Sequence, residues 1–307
     1  MNEIEKYFKD AASLYNKNKP HLEECLTLIR SCILRLNEHT YYRYFGNFRG
    51  LMPVKYNVFE FDSALSRPLR SDLFIDDIDQ FDEMNVEFLK QLENASEIWT
   101  ERNVRNATQV IYTSVMSFAC VIDLWKRSSR KTPGTFFEIY IASLIPIFFP
   151  DAVLSKHITL ATALNNTDIS ESEAGHSGKD EIPRVATDLV VGRKNYESKI
   201  VIPLKITTRE RIVQPFAHQR ILDSAFGSGV FSSFLTCVSE TQLDHQTSSV
   251  KQVCVPGTVK LFQRHLGQLS GLYYCDVPQR YAARDMKECL PVKEIGEIFR
   301  DFYRFFD

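Results

Sequence analysis

The chain has little of what usually announces a class. None of its seven cysteines stands in a C-x-x-C pair, and their number is odd. That argues against a zinc site or a disulfide framework and fits reduced thiols in a cytoplasm. Long apolar runs are absent: the most apolar stretch, residues 139–149, is far shorter than a bilayer span and contains Pro146. It reads as a core helix ending near Pro150, so no membrane segment is expected. The opening residues MNEIEKYFKD are charged and carry no apolar h-region, so no secretion signal is expected either. Internal repeats and low-complexity tracts are missing. So is any excess of positive charge: 37 basic against 39 acidic residues give a net charge of −2, which excludes binding of nucleic acid by bulk charge alone. What remains is ordinary globular composition, 44% hydrophobic and 25% charged, in 307 residues, enough for one large domain or two.

Against this background one stretch stands out, residues 185–222. VATDLVV is followed by a short polar turn and then KIVIPLKITTRERIVQPFAHQRIL. Two runs that look like buried strands each contain one charge, Asp188 and Lys205, and a charge in a buried strand is costly unless paired or bound to a metal. Residues 185–192 and 199–206 are close enough to form only an antiparallel hairpin. A symmetric turn sets Asp188 opposite Pro203 and puts Lys205 on the same face as its diagonal neighbour, roughly 7–8 Å away between Cβ atoms. Ile200, Ile202, Leu204 and Ile206 then fill the other face and fix the register. The spacing suits a metal ion and a phosphate between the two charges. A buried ion pair without chemistry is the alternative.

Arg209, Glu210 and Arg211 follow directly, Pro215 sits where a helix would begin, and Gly227 offers its end. Arginine reads guanine O6 and N7 in the major groove, and a carboxylate accepts from cytosine N4, so this triplet is matched to neighbouring G·C pairs. A solvated surface loop is the alternative. The local charge balance favours a nucleic-acid contact: residues 193–220 hold seven basic side chains against two acidic ones. One basic cleft on a neutral body is enough, because phosphate contacts are local.

Asp188, Lys205 and the Arg209–Arg211 triplet resemble the core of the PD-(D/E)XK nucleases, and more narrowly the type II restriction endonucleases of the branch that recognises CCGG or CCNGG. The segment PGTFFEIYI, residues 133–141, is similar to the family's earlier helix, which aligns Glu138 with a glutamate near the metal site. The likeness spans residues 131–226. It implies Asp188 and Glu138 as ligands of Mg²⁺, Lys205 as the catalytic amine, and Arg209, Glu210 and Arg211 as DNA-binding residues.

Two departures accompany the likeness. Pro203 stands two residues before the lysine, so the simple D/E-X-K pattern is absent. In this branch the second acid moves to the next helix, but fourteen residues after Lys205 the chain has Gln219, preceded by His218. A glutamine offers a cation an amide oxygen without a carboxylate's charge. Gln219 is kept among the catalytic candidates, and Glu138 becomes the more important second anion. Each has a plain alternative. Thr135 and Glu138 have the spacing of a capping box, although Thr132 before Pro133 also offers a cap. His218 reads as a general base or as an interior imidazole, and Gln219 as a polar helix residue.

Elsewhere, residues 1–130 read as mainly helical, with helices at 21–37 and 104–125 and an acidic loop at 62–83. Residues 163–184 read as an exposed insert. Strands are expected at 229–239, 250–255 and 272–275, a helix at 259–270, and an amphipathic helix at 295–306. Tyr41 to Arg49 alternate aromatic and basic groups, a composition for stacking on an unpaired base or for an aromatic core. The expected fold is α/β: a restriction-endonuclease-like mixed β-sheet core flanked by helices (131–307), with a mainly helical N-terminal part (1–130) serving recognition and dimer contacts.

The function expected from the resemblance is Mg²⁺-dependent, sequence-specific hydrolysis of double-stranded DNA by a cytoplasmic homodimer, paired functionally with a cognate DNA methyltransferase. The alternatives are a repair nuclease of the same superfamily, a decayed nuclease that binds without cutting, and a purely structural protein.

Overall fold

In the computed structural model, residues 1–46, 48, 53–94, 99–126, 129, 131–160, 183–244, 246–247 and 249–307 are described, with the side chains of Arg209 and Glu210 outside that description. The expected insert at 163–184 lies almost wholly outside it as well.

The main sheet is built around the hairpin. Strands β5 (Ala152–Thr159), β6 (Arg184–Arg193) and β7 (Lys199–Ile202) pair with one another antiparallel. Strands β9 (Phe231–Cys237), β12 (Gly271–Tyr274) and β13 (Val292–Glu294) continue the sheet in parallel, in the order β13-β12-β9-β7-β6-β5. Pro203 has no N–H to give a ladder, and it splits the lysine strand: β7 ends at Ile202, and a two-residue strand β8 (Leu204–Lys205) resumes against β9.

Both sheet faces are covered. Leu189, Val191, Ile200, Ile202 and Leu204 join one large apolar core with α1 (Asn2–Asn16), α2 (Leu22–Asn37), α3 (Ile78–Glu93), α4 (Glu101–Trp125) and α5 (Thr132–Phe148). On the opposite face Val190 and Val201 meet Leu222 of α6 (Val213–Phe226). Pro215 lies in the first turn of α6, and Gly227 ends it with φ +88°, a backbone angle that L side chains rarely adopt. Helix α4 is long and apolar enough to cross a membrane, but 89% of its most apolar window is buried inside the protein, which makes it the central core helix. It starts at a capping box formed by Thr100 and Asn103. Helix α7 (Ile298–Phe306) buries Ile298, Phe299, Phe302 and Phe306, the expected apolar stripe.

The N-terminal part is mainly helical, as expected, and adds strands that were not expected. It contributes β1 (Tyr41–Gly46), β2 (Val54–Phe61), β3 (Ala64–Leu65) and β4 (Leu69–Arg70) to a second sheet, with β10 (Thr241–Asp244) and β11 (Ser249–Gln252) from the C-terminal half. Residues 41–46 of the aromatic-basic patch therefore form a strand, with Tyr41, Tyr42 and Phe45 exposed, and Asn47 and Arg49 lie outside the described residues. The loop expected over 62–83 gives way to helix from Ile78, where the Asp77 carboxylate accepts from the Gln80 N–H. The apolar core runs across residue 130, so both parts of the expected division share it.

Candidate active site

Asp188 sits on β6 opposite Pro203: the paired positions Leu189↔Ile202 and Val190↔Val201 carry the register the sequence implied. The Lys205 Nζ donates to the Asp188 Oδ2 at 2.8 Å, and the Leu204 N–H donates to the same oxygen at 2.7 Å. The break at Pro203 turns this second donor to the side chain. The pair lies in a pocket of about 210 Å³, lined by Ala186, Thr187, Asp188, Pro203 and Lys205 from the sheet and by Gln214, Pro215 and His218 from α6. A lysine has three N–H donors, so one bond to Asp188 leaves two for the pocket.

Glu138 projects from the second turn of α5 and caps nothing. The helix starts at Thr132 without a side-chain cap, and the Thr135 hydroxyl bonds back to the Lys131 carbonyl. The Glu138 Oε1 instead accepts from the Tyr15 hydroxyl at 2.9 Å and pairs with the Lys156 Nζ of β5 at 2.8 Å. Lys156 also lies over the Tyr15 ring, 4.2 Å from its centroid. Burial first, then the Glu138 charge and hydrogen bond, then the Asp188 charge push the Tyr15 phenol far above its ordinary range. Tyr15 thus feels both carboxylates, which places Glu138 and Asp188 within electrostatic reach of one hydroxyl.

His218 is half-buried, and its pKa lies below the ordinary histidine value, first through burial and then through the Lys205 charge, with Asp188 opposing. It lines the same pocket as the lysine. Gln219, one residue on, points elsewhere: its Nε2 donates to Asp223 at 2.8 Å and to the Phe231 carbonyl at 2.9 Å, and it is buried against the sheet. The structure therefore brings Asp188, Lys205 and His218 into one pocket, sets Glu138 nearby, and does not bring Gln219. A 100° step per residue along a helix turns neighbours to different faces, and the pocket receives 214, 215 and 218.

The triplet forms a 3₁₀ turn, Arg209–Ile212, between β8 and α6. Arg211 is exposed, with its Nη2 3.4 Å from the Thr207 carbonyl. Nothing follows for Arg209 and Glu210 side chains, which lie outside the described residues.

No family model matches the chain, and no curated protein matches it. Among solved structures, the type IIP restriction endonuclease Kpn2I is similar over 100% of this chain and 98% of its own, at 44% identity and a TM-score of 0.87. The chain belongs to the type II restriction endonucleases. A complex of the restriction endonuclease PspGI with substrate DNA is also similar, at 12% identity over 74% of this chain and 91% of that one; its TM-score of 0.40 is too low to carry inference about chemistry.

In this endonuclease the donor set can be tested against the metal that the resemblance implies. Among the described residues no group of three or more His, Cys, Asp and Glu side chains is arranged to hold a metal. The two carboxylates of Asp188 and Glu138 are hard oxygen donors, and each already holds a cation, a lysine ammonium at 2.8 Å. One or two carboxylates with water and phosphate oxygens is what Mg²⁺ asks for, so the residues fit it. Tyr15 and Lys156 were not singled out from the sequence: each is a common residue in an ordinary helix or strand, and only the fold carries them to Glu138.

Proposed function

We propose that the protein is a Mg²⁺-dependent, site-specific deoxyribonuclease that hydrolyses phosphodiester bonds of double-stranded DNA at a GC-rich palindrome containing CCGG or CCNGG. The observation that carries this reading is the Asp188–Lys205 pair at a pocket between sheet and helix, in a chain alike end to end with a type IIP restriction endonuclease. Asp188 and Glu138 would hold the metal, which when bound would supply charge stabilisation at the phosphate and a more acidic water. Lys205, anchored by Asp188 through one N–H, directs its remaining donors to the scissile phosphate. Tyr15 holds Glu138, and Lys156 keeps it ion-paired. His218 stands in the same pocket, placed to accept a proton from the attacking water. Gln219 has a packing role only.

Arg209, Glu210 and Arg211 read G·C pairs from the turn between the lysine strand and α6. A palindromic target calls for a two-fold homodimer with one active site per strand. A cognate methyltransferase protects the host's own sites, and the enzyme works in the cytoplasm. Digestion of a mapped plasmid with Mg²⁺, followed by sequencing of the ends, tests the reading: discrete fragments sharing a terminal sequence are expected, and a smear or uncut plasmid overturns it. A second reading, a protein that binds DNA and cuts poorly, is favoured by Gln219 facing away from the pocket where a second helix carboxylate would stand. Band shifts in Ca²⁺ with no cleavage in Mg²⁺ or Mn²⁺ would select it.

A further inference from the structure

Glu240 is fully buried, three residues past the end of β9 and outside the pocket. Its Oε1 accepts the Thr208 N–H at 2.9 Å, the Thr208 hydroxyl, and the Tyr274 hydroxyl at 3.2 Å. Thr208 is itself buried and immediately precedes the Arg209–Ile212 turn.

The backbone around this contact is a zipper that reverses its direction at one point: the carbonyls of Pro203, Lys205 and Ile206 accept from the β9 side, whereas Thr208 donates back to it. The Thr236 N–H donates to the Pro203 carbonyl at 2.9 Å, the Val238 N–H to Lys205 at 3.0 Å, and the Ser239 N–H to Ile206 at 3.1 Å. At Thr208 the N–H donates instead, to the Glu240 carboxylate. The Thr208 carbonyl in turn accepts the Arg211 N–H at 2.9 Å, which closes the turn, and the Glu240 carbonyl accepts the Val253 N–H at 2.8 Å. A buried carboxylate costs several kcal/mol in desolvation unless well hydrogen-bonded, and hydrophobic side chains would fill the same volume without that cost. Among the described residues its two bonds to one threonine fix where the chain leaves the sheet.

We propose that Glu240 is a positioning residue for base reading, which through Thr208 sets the direction of the Arg209–Arg211 turn and hence the selectivity of the enzyme. This rests on the reading of that triplet as the base-contacting segment. Glu240 touches neither the pocket nor DNA in this scheme; it acts through Thr208. Tyr274 contacts the same oxygen from the sheet and, among the described residues, is not bonded to the turn, so it serves as the control.

The test measures binding in Ca²⁺ to duplexes carrying the sequence found at the wild-type fragment ends and to duplexes with one G·C pair of it replaced. In T208V and E240Q the preference for the intact site falls tenfold or more. In T208S, which keeps the hydroxyl, it stays within about threefold of wild type. In Y274F the melting temperature drops while the preference holds. A T208V protein that discriminates as well as wild type overturns the proposal, and it does so even where E240Q fails to fold. A wild-type protein that prefers no sequence overturns the base-reading assignment itself and this inference with it; a selective wild type with an equally selective T208V removes only the role of Glu240.

Discussion

At the scale of single residues, the site is a pair of acid–amine contacts, and the two acids were found in different ways. Asp188 and Lys205 were legible because a charge inside a β-branched run is conspicuous and because alternation fixes which face it takes. The register followed from turn symmetry, and the structure keeps it. Their direct contact at 2.8 Å was not legible, since sequence spacing gives Cβ separation and not the reach of a lysine. Replacing Lys205 with Ala should lower the cleavage rate by at least a thousandfold while leaving duplex binding in Ca²⁺ within a few-fold, the signature of a group acting on the reacting phosphate. Gln219→Glu, which a family alignment would suggest as a gain of function, should instead destabilise by about 1–3 kcal/mol in denaturant melts. It puts a second carboxylate beside Asp223 in a buried position and discards the donor that Phe231 uses. Unchanged stability together with tighter Mn²⁺ binding would reverse this assignment. His218 gives a pH dependence with a definite sign. Its folded pKa is depressed, so above about pH 6.5 folding is not penalised. As the pH falls below that value the unfolded chain takes up a proton that the folded chain resists, and stability is lost. His218→Gln should flatten the stability profile below pH 6.5, read by urea melts across that range.

At the scale of elements, helices were read better than strands. Helices 21–37, 104–125 and 295–306 announced themselves through apolar spacing, and all are present with small shifts at their ends. Strand β1 is hard to read because Tyr41, Tyr42 and Phe45 face solvent, and β3 and β4 are two residues each, too short for any pattern. Strand β2 does alternate, with buried Tyr56 and Val58 interleaved with Lys55 and Asn57, a signal that was passed over. The 62–83 stretch was read as loop from its acidity, yet acidic residues are favoured at a helix start, where Asp77 sits. Helix α6 is held tightly from behind: a Cβ on Gly267 would lie 2.4 Å from the Phe216 carbonyl oxygen and 3.2 Å from the Arg220 nitrogen. Gly267→Ala should therefore displace α6, cost about 1–3 kcal/mol in stability, and lower cleavage more than DNA binding, because Gln214 and His218 move with the helix. Full activity in that variant would show that the helix's position is not critical.

At the scale of the whole molecule, the two sheets are joined by a charged clasp. Asp276, buried just past β12, accepts from Arg70 of β4 at 2.8 Å and from the Tyr56 hydroxyl of β2 at 3.1 Å, and Arg70 also holds Asp72 at 2.8 Å. Asp276→Ala leaves a guanidinium and a phenol without their shared acceptor. The expected loss is about 3 kcal/mol, at the lower end for a broken buried pair because Arg70 keeps Asp72, and it is measured by denaturant unfolding. A loss below 0.5 kcal/mol would mean the sheets hold together by apolar packing alone. None of this long-range joinery was visible in the sequence, since its partners stand about two hundred positions apart and no local pattern links them.

The pairing of Gly46 with Val250, which seats β1 beside β11, has a further consequence for synthesis on the ribosome. The hairpin bearing Asp188 and Lys205 needs only its own neighbourhood and can form early, whereas contacts of such long sequence separation form slowly and only after the later partner exists. A nascent polypeptide ending before β11 already contains Asp188 and Lys205 but lacks the strand beside which β1 is seated, so the second sheet closes only after the nuclease hairpin has been made.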